Sequence, residues 1–336
     1  MLSVDEFLDS SLGESASSQA ALVKKDNYRH NYRFINITSY SQREVLHRCS
    51  REFQQLKIIR PGIGLVDASI LNLDFIFGHA VAAGVQTYIV TGSRSAALFA
   101  AFLSWTTDLD NEKERGEKSA YFAILAVLKF IDEWDKVKAE WEVASFSGRP
   151  ASELSFWLDC ENGYYHVGHI DVVLRNKRTG YYTVIEIKTT SMRDPDEAQY
   201  GNSEQALGYS IILDTIVGSG LATFQVLYFI YSTMRRGWTP FPFVKARKAR
   251  AEWLQDLLLD HTTINTYRQL GFFPKRGNSC WTFSRRCPHY GVCDLHTNTV
   301  TDKFDVWTPD QNYPEQPDFI FKLSEVAKEI LEEKKV

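Results

Sequence analysis

The chain of 336 residues is 44% apolar and 24% charged. That length suits about two domains and a core that removes roughly three quarters of the unfolded surface from water, which excludes disorder and coiled coil as whole-chain readings. Thirty-eight Lys and Arg against 42 Asp and Glu give a formal charge of -4, so a uniformly basic coat for nucleic acid is excluded and a local basic channel is not. MLSVDEFLDSSLGES carries acids where a secretion signal carries bases, and no uninterrupted apolar run of about 18 residues occurs. The expectation is a cytoplasmic protein with no membrane association.

Residues 1–26 are rich in Ser, Asp and Glu and read as a mobile tail. At Ser41 the run SQRE has the form of a capping box, and Val45, Leu46, Cys49 and Phe53 follow at helical spacing, which predicts a helix with Cys49 on its buried side. From Asp67 to about Phe130, ILNLDFIFGHAVAAGV, AALFAAFL and AYFAILAVLKFI repeat apolar residues three and four apart, predicting several helices. Beyond Trp141 the runs WEVASF, LSFWLDC, YYHVGHIDVVL and YYTVIEIKTT are short, aromatic and β-branched, and SGRP, ENG and NKRTG separate them as turns. NSEQALGYSIILDTIV predicts a helix, TFQVLYFIYST and PFPFVKA two more strands, and RAEWLQDLLLDHTTINTYRQLG a long helix ended by Gly271. This order implies a mixed α/β core with helical additions.

Chemistry concentrates around Asp171 and Glu186. Side chains alternate along a strand, so Glu186 and Lys188 share one face and Ile185 and Ile187 the other. If NKRTG closes a hairpin, Asp171 lies opposite Glu186. Two carboxylates at that distance repel unless a cation separates them, and hard oxygen donors with open positions suit Mg2+ or Mn2+, with the Ile187 carbonyl as a further ligand. Lys188 would then orient a water or neutralise charge developing on a phosphodiester. The alternative is an ordinary surface salt bridge. Gln205 and Tyr209, four apart on one helical face, either bond a metal water or a phosphate, or are a solvated amide and a packed phenol.

GHID at 168–171, EIK at 186–188 and QALGY at 205–209, in this order, resemble the PD-(D/E)XK nucleases of the RecB-like branch over residues 38–296. The resemblance implies a restriction-endonuclease-like α/β fold, a mixed sheet core with flanking helices and a helical insertion. It implies Asp171 and Glu186 as metal-binding acids, Lys188 as the catalytic lysine, and Gln205 with Tyr209 as the family's Q-x-x-x-Y element. Such nucleases usually carry a metal-binding His as G-x-x-x-H, but after Gly78 that position is Ala82, and His79 is the candidate replacement one turn away. The implied division is a tail at 1–26, a helical region at 27–140, a nuclease core at 141–272 and a C-terminal cysteine region with a terminal helix at 273–336. The implied activity is a metal-dependent DNA nuclease, an exonuclease in phage recombination, CRISPR adaptation or repair with a partner protein in that setting. The competing reading is a DNA-binding subunit that keeps the fold without the activity.

Five cysteines in a chain without a secretion signal are not a disulfide framework, and CWTFSRRCPHYGVC points to a metal or cluster site. Cys280, Cys287 and Cys293 with His289 or His296 suit tetrahedral Zn2+, as in a nucleic-acid-binding module. Many members of the resembled family instead hold a four-iron four-sulfur cluster with one cysteine before the core and three after it, which implies Cys49, Cys280, Cys287 and Cys293 as a staple closing a loop of roughly 230 residues. The trailing spacing departs from the family's C-x2-C-x5-C in its first gap. Cys160 reads as a buried structural thiol. For DNA, Arg235, Arg236, Lys245, Arg247, Lys248 and Arg250 occur without an acid among Trp238, Phe241 and Phe243, as in a track for a single strand with free ends or as an ordinary strand and helix start.

Overall fold

The computed structural model describes residues 37–55, 73–105, 116–218, 222–282, 285–287, 290, 293 and 317–331. The expectations for the tail at 1–26 and for His289 and His296 lie outside the described residues. In chain order the principal elements are β1 (Ile37–Ser39), α1 (Tyr40–Arg48), α2 (Ser50–Phe53), α3 (Leu73–Thr91), α4 (Arg94–Leu103), α5 (Ala120–Trp134), β2 (Trp141–Val143), β3 (Ser152–Asp159), β4 (Tyr165–Asn176), β5 (Tyr182–Thr190), α6 (Glu204–Val217), β6 (Ala222–Ser232), β7 (Gly237–Phe243), α7 (Arg247–Gln269), β8 (Phe319–Lys322) and α8 (Leu323–Leu331). They group into two compact units, one drawn from Met1–Ser69, Ser155–Gly168 and Ala251–Val336, the other from Ile70–Leu154 and His169–Arg250.

The second unit layers helices on a mixed sheet. β2 runs antiparallel to β4 and β4 antiparallel to β5. β5 lies parallel to β6, and β6 antiparallel to β7. A parallel pair needs a long crossover, and the segment containing α6 supplies it. One face of the sheet, through Val172, Leu174, Ile185 and Ile187, packs with Phe77, Ala80, Val81, Val127 and Phe130 of α3 and α5. Each such fully buried aliphatic or phenyl side chain contributes about 1.5–3 kcal/mol. Gly84 permits the close helix contact: a Cβ there would lie 2.6 Å from Val127 Cγ2 and 3.1 Å from Ala101 Cβ. Among the described residues α3 alone is long and apolar enough to cross a membrane by length and composition. Its Ile76, Phe77, Ala80, Val81, Val85, Tyr88 and Ile89 are buried in this core.

In the first unit β1 is parallel to the start of β4 and β8 parallel to β3. The predicted capping box is not formed. Pairing of β1 holds Ser39 extended, so the helix starts at Tyr40, with Ser41 already in its first turn and no side-chain cap at Ser39. Cys49 also differs from expectation. It is buried, yet it sits at a break between α1 and α2 with φ -158° and ψ 108°, its N–H still bonded to Val45 O at 2.9 Å. Gly168 of GHID is required by packing, since a Cβ would lie 2.6 Å from Phe156 Cζ. Cys160 is fully buried, and burial pushes its thiol up.

Candidate active site

The turn sets the register. Asn176 Oδ1 accepts the N–H groups of Arg178 and Thr179, both at 3.0 Å, and Gly180 adopts φ +76°, which closes the β4–β5 hairpin. Val172 then faces Ile185, and one step along the ladder Asp171 comes beside Glu186. Asp171 Oδ2 accepts the Ile187 N–H at 2.9 Å. Glu186 is 2% exposed, its Oε1 lies 2.6 Å from Lys188 Nζ, and its buried Oε2 has no hydrogen-bond partner. The Lys188 side chain keeps 38% of its surface open to solvent.

Burial raises the Asp171 pKa well above its ordinary value, and the Glu186 charge raises it further against the opposing pull of Lys188 and the Ile187 N–H. Glu186 is raised as well, chiefly by burial, which outweighs Lys188 and Gln205. Burial acts to lower the Lys188 pKa, but the neighbouring Glu186 charge prevails and holds the ammonium protonated. A half-buried and a buried carboxyl that both resist ionisation, the second with an unsatisfied oxygen, fit a cation as their missing partner. Among the described residues no three His, Cys, Asp or Glu side chains converge closely enough to hold a metal by themselves. The remaining ligands would be a backbone carbonyl and water, as Mg2+ commonly accepts.

α6 braces this pair. Gln205 Nε2 donates to Tyr209 Oη at 2.9 Å, and Tyr209 Oη donates to the His169 carbonyl on β4. Tyr209 is 2% exposed and Gln205 half-buried, so the phenol positions the strand that carries Asp171 while the amide stabilises ionised Glu186.

Two residues near the site escaped the sequence reading. Tyr228, opposite Glu186 on β6, is 1% exposed, bonds Ser203 Oγ at 2.8 Å and has its phenol pushed up by burial and by the Glu186 charge. Alternation along TFQVLYFIYST was the available signal. Glu153 is exposed with φ +51°, and the Val173 N–H bond to Ala151 O at 2.8 Å holds its strand beside β4. Its charge raises both Asp171 and Glu186. No local pattern marks it.

Other candidates lie elsewhere. His79 is exposed on α3 and stacks on Phe75, and among the described residues it joins no group of three His, Cys, Asp or Glu side chains able to hold a metal. The basic segment is used in several ways. Arg250 is turned inward to Asp214, their side chains 11% and 4% exposed, and Lys245 Nζ donates to Gly201 O. Arg235 and Arg236 are exposed, the former bonded to Thr239 and the latter 4.6 Å over the Phe122 ring. Arg247 is half-buried and Lys248 exposed. The intervening aromatics pack inward: Trp238 Nε1 donates to Ala126 O at 2.9 Å, and Phe241 and Phe243 meet Tyr200 and Tyr228. They are therefore packing groups, as in the ordinary-strand alternative, rather than the open rings of a single-strand track.

In the first unit Cys49, Cys280, Cys287 and Cys293 line one cavity of 260 Å3 together with Glu52, Gln55, Lys275 and Tyr290, although no three of these side chains converge at metal-ligand spacing. Hydrogen bonds hold the distant segments together there, from Ser279 Oγ to Arg48 O at 2.7 Å, from Arg51 Nε to Phe273 O at 2.8 Å and from the Arg51 N–H to Pro274 O at 3.1 Å. Burial raises the Cys293 thiol, with Cys49 and Cys280 close enough to raise it further. None of the four cysteines forms a disulfide.

Residues 37–294 match the PD-(D/E)XK nuclease superfamily. No curated protein matches the chain. A solved structure from Eubacterium rectale, described as "Putative exonuclease", is similar at 11% identity with a TM-score of 0.43, covering 76% of this chain and 90% of its own.

Proposed function

The chain belongs to the PD-(D/E)XK nuclease superfamily, and from that premise we propose that it is a Mg2+- or Mn2+-dependent deoxyribonuclease of the RecB-like branch, acting on DNA from free ends. The observation that carries the reading is half-buried Asp171 beside buried Glu186, which has an unsatisfied oxygen and lies beside Lys188. Asp171, Glu186 and the Ile187 carbonyl would hold the cation, which when bound supplies a water acidic enough to be a nucleophile at neutral pH. Lys188, protonated and partly open to solvent, holds its positive charge where a phosphoryl oxygen gains negative charge. Gln205 steadies the ionised form of Glu186, and Tyr209 fixes the backbone one residue beyond the GHID glycine.

The test is incubation of end-labelled DNA with and without Mn2+. Linear DNA should be degraded only with the metal, and covalently closed circles should survive. Lys188→Met should lower kcat by about 10²–10³, while calorimetry shows Mn2+ still bound. Cleavage that persists in EDTA would overturn the reading.

The four cysteines are proposed to hold a four-iron four-sulfur cluster. The support is that all four line one cavity, with Cys49 drawn from a segment far from the other three. Anaerobically purified protein should be brown with about four irons per chain, as ligation of that cluster by four thiolates requires. Cys49→Ala should lose the colour and the iron, and Cys160→Ser should keep both. Stoichiometric zinc without iron would replace the cluster by the zinc reading.

A further inference from the structure

On α3, Phe75 and His79 are four residues apart and share one face, as one helical turn dictates. Phe75 is 65% exposed, His79 is exposed, and their rings stack with planes 3° apart and centroids 6.0 Å apart. Their neighbours Ile76, Phe77 and Ala80 turn into the core, so the pair presents its rings to solvent. A Cβ at Gly78 would lie 3.3 Å from Thr189 Oγ1, which sets this stretch of α3 against β5 one residue beyond Lys188. On the other side Lys118 donates to Asp74, bringing the start of α5 alongside. There Tyr121 is 62% exposed and meets the Phe122 ring edge-on at 5.4 Å, and the Arg236 guanidinium lies over that same ring.

Exposed planar rings that adjoin the end of the strand carrying Lys188, with Lys118 and Arg236 on and over the neighbouring α5 segment, suit a polyanion whose π-faces are open. An unpaired nucleic-acid strand has both properties, whereas a duplex hides its base faces in the stack. We propose that Phe75 and His79 form a stacking step that receives the bases of an unpaired strand as it nears Lys188, with Arg236, over Phe122 on α5, as the cation available to its phosphates. The inference rests on the nuclease reading for its direction toward Lys188, but binding tests it separately from cleavage. It gives His79 a role in stacking, where the sequence suggested a metal ligand.

The experiment uses the full chain carrying Asp171→Asn, in EDTA, with a single-stranded oligonucleotide containing 2-aminopurine and the same sequence as duplex. Phe75→Ala and His79→Ala should each weaken single-strand binding about tenfold and reduce 2-aminopurine quenching, with duplex binding little changed. Phe75→Trp and His79→Phe should retain both, because either ring still stacks. Unchanged single-strand affinity in the alanine variants, or an equal loss for duplex, would overturn the stacking step. So would loss of Mn2+ binding in His79→Phe made in the chain that keeps Asp171, since that assigns the imidazole to the metal. If the chain that keeps Asp171 cuts no nucleic acid with Mn2+ while the alanine variants still lose single-strand binding, the nuclease reading fails and the stacking step stands.

Discussion

Asp171→Asn should abolish Mn2+-dependent cleavage and yet raise the melting temperature of the metal-free protein by about 2–4 °C at neutral pH, the shift that roughly 1 kcal/mol produces in a large domain. On the proposed function, loss of cleavage follows from removing one of the two carboxylates that would hold the cation. The gain in stability follows from the cost of ionising half-buried Asp171 next to the buried Glu186. Asn is nearly isosteric, and its amide oxygen can still accept the Ile187 N–H. Both carboxyls have folded-state pKa values raised above those of the unfolded chain. Above the raised value the folded wild type carries the full ionic penalty. As pH falls through that value the folded state takes up a proton before the unfolded chain does, and the wild type gains relative stability until the ordinary carboxylate range is reached. The advantage of Asp171→Asn should therefore be greatest near neutrality and shrink on acidification. Mn2+ at about 100 times its Kd should reverse the order by stabilising only the wild type, by about 2.7 kcal/mol. Calorimetric scans of both proteins in EDTA and in Mn2+ across this pH range provide the check. A variant less stable than wild type in EDTA at neutral pH would show that the carboxylate is already satisfied by protein groups.

The face on which Glu186 and Lys188 lie was legible because strand alternation is a local rule: Ile185 and Ile187 enter the helical core and the charged pair does not. The Asp171–Glu186 pairing was legible for the same reason, since the turn chemistry of NKRTG determines register. What long-range pairing decides was not. β1 holds Ser39 extended and thereby moves the start of α1, and the break at Cys49 follows no local breaker residue. Glu153 comes near the carboxylates through the pairing of Ala151 with Val173, more than twenty residues apart. Composition was weakest for the basic segment. A run of Arg and Lys reads as one surface, but Arg250 turns inward to Asp214 and Lys245 to the Gly201 carbonyl.

Arg250→Ala should destabilise the protein by about 3–5 kcal/mol, the cost of leaving one member of a buried ion pair without the other. Asp214 is 3% exposed and lies on α6, the helix that braces the carboxylate site, and it also accepts from Gln225 Nε2 at 3.3 Å. Gln225 Oε1 in turn accepts the Lys245 N–H at 2.5 Å, so one carboxylate ties α6 to β6 and to the segment entering α7. Asp214→Ala should cost a similar amount, because it strands the Arg250 guanidinium. Replacing both groups together, as Arg250→Met with Asp214→Leu, should recover most of the loss, since a packed apolar pair requires no desolvation of charge. Urea unfolding of the four proteins measures the coupling directly. Arg247→Gln with Lys248→Gln should leave stability within about 0.5 kcal/mol of wild type. If that pair contacts DNA, it should lower the slope of log affinity against log salt by about one for each phosphate contact removed. The two kinds of variant thus separate a structural cation from a DNA-facing one within four residues of sequence. Should Arg250→Ala unfold like wild type yet bind DNA with a reduced salt slope, Arg250 would be a phosphate ligand and its pairing with Asp214 incidental.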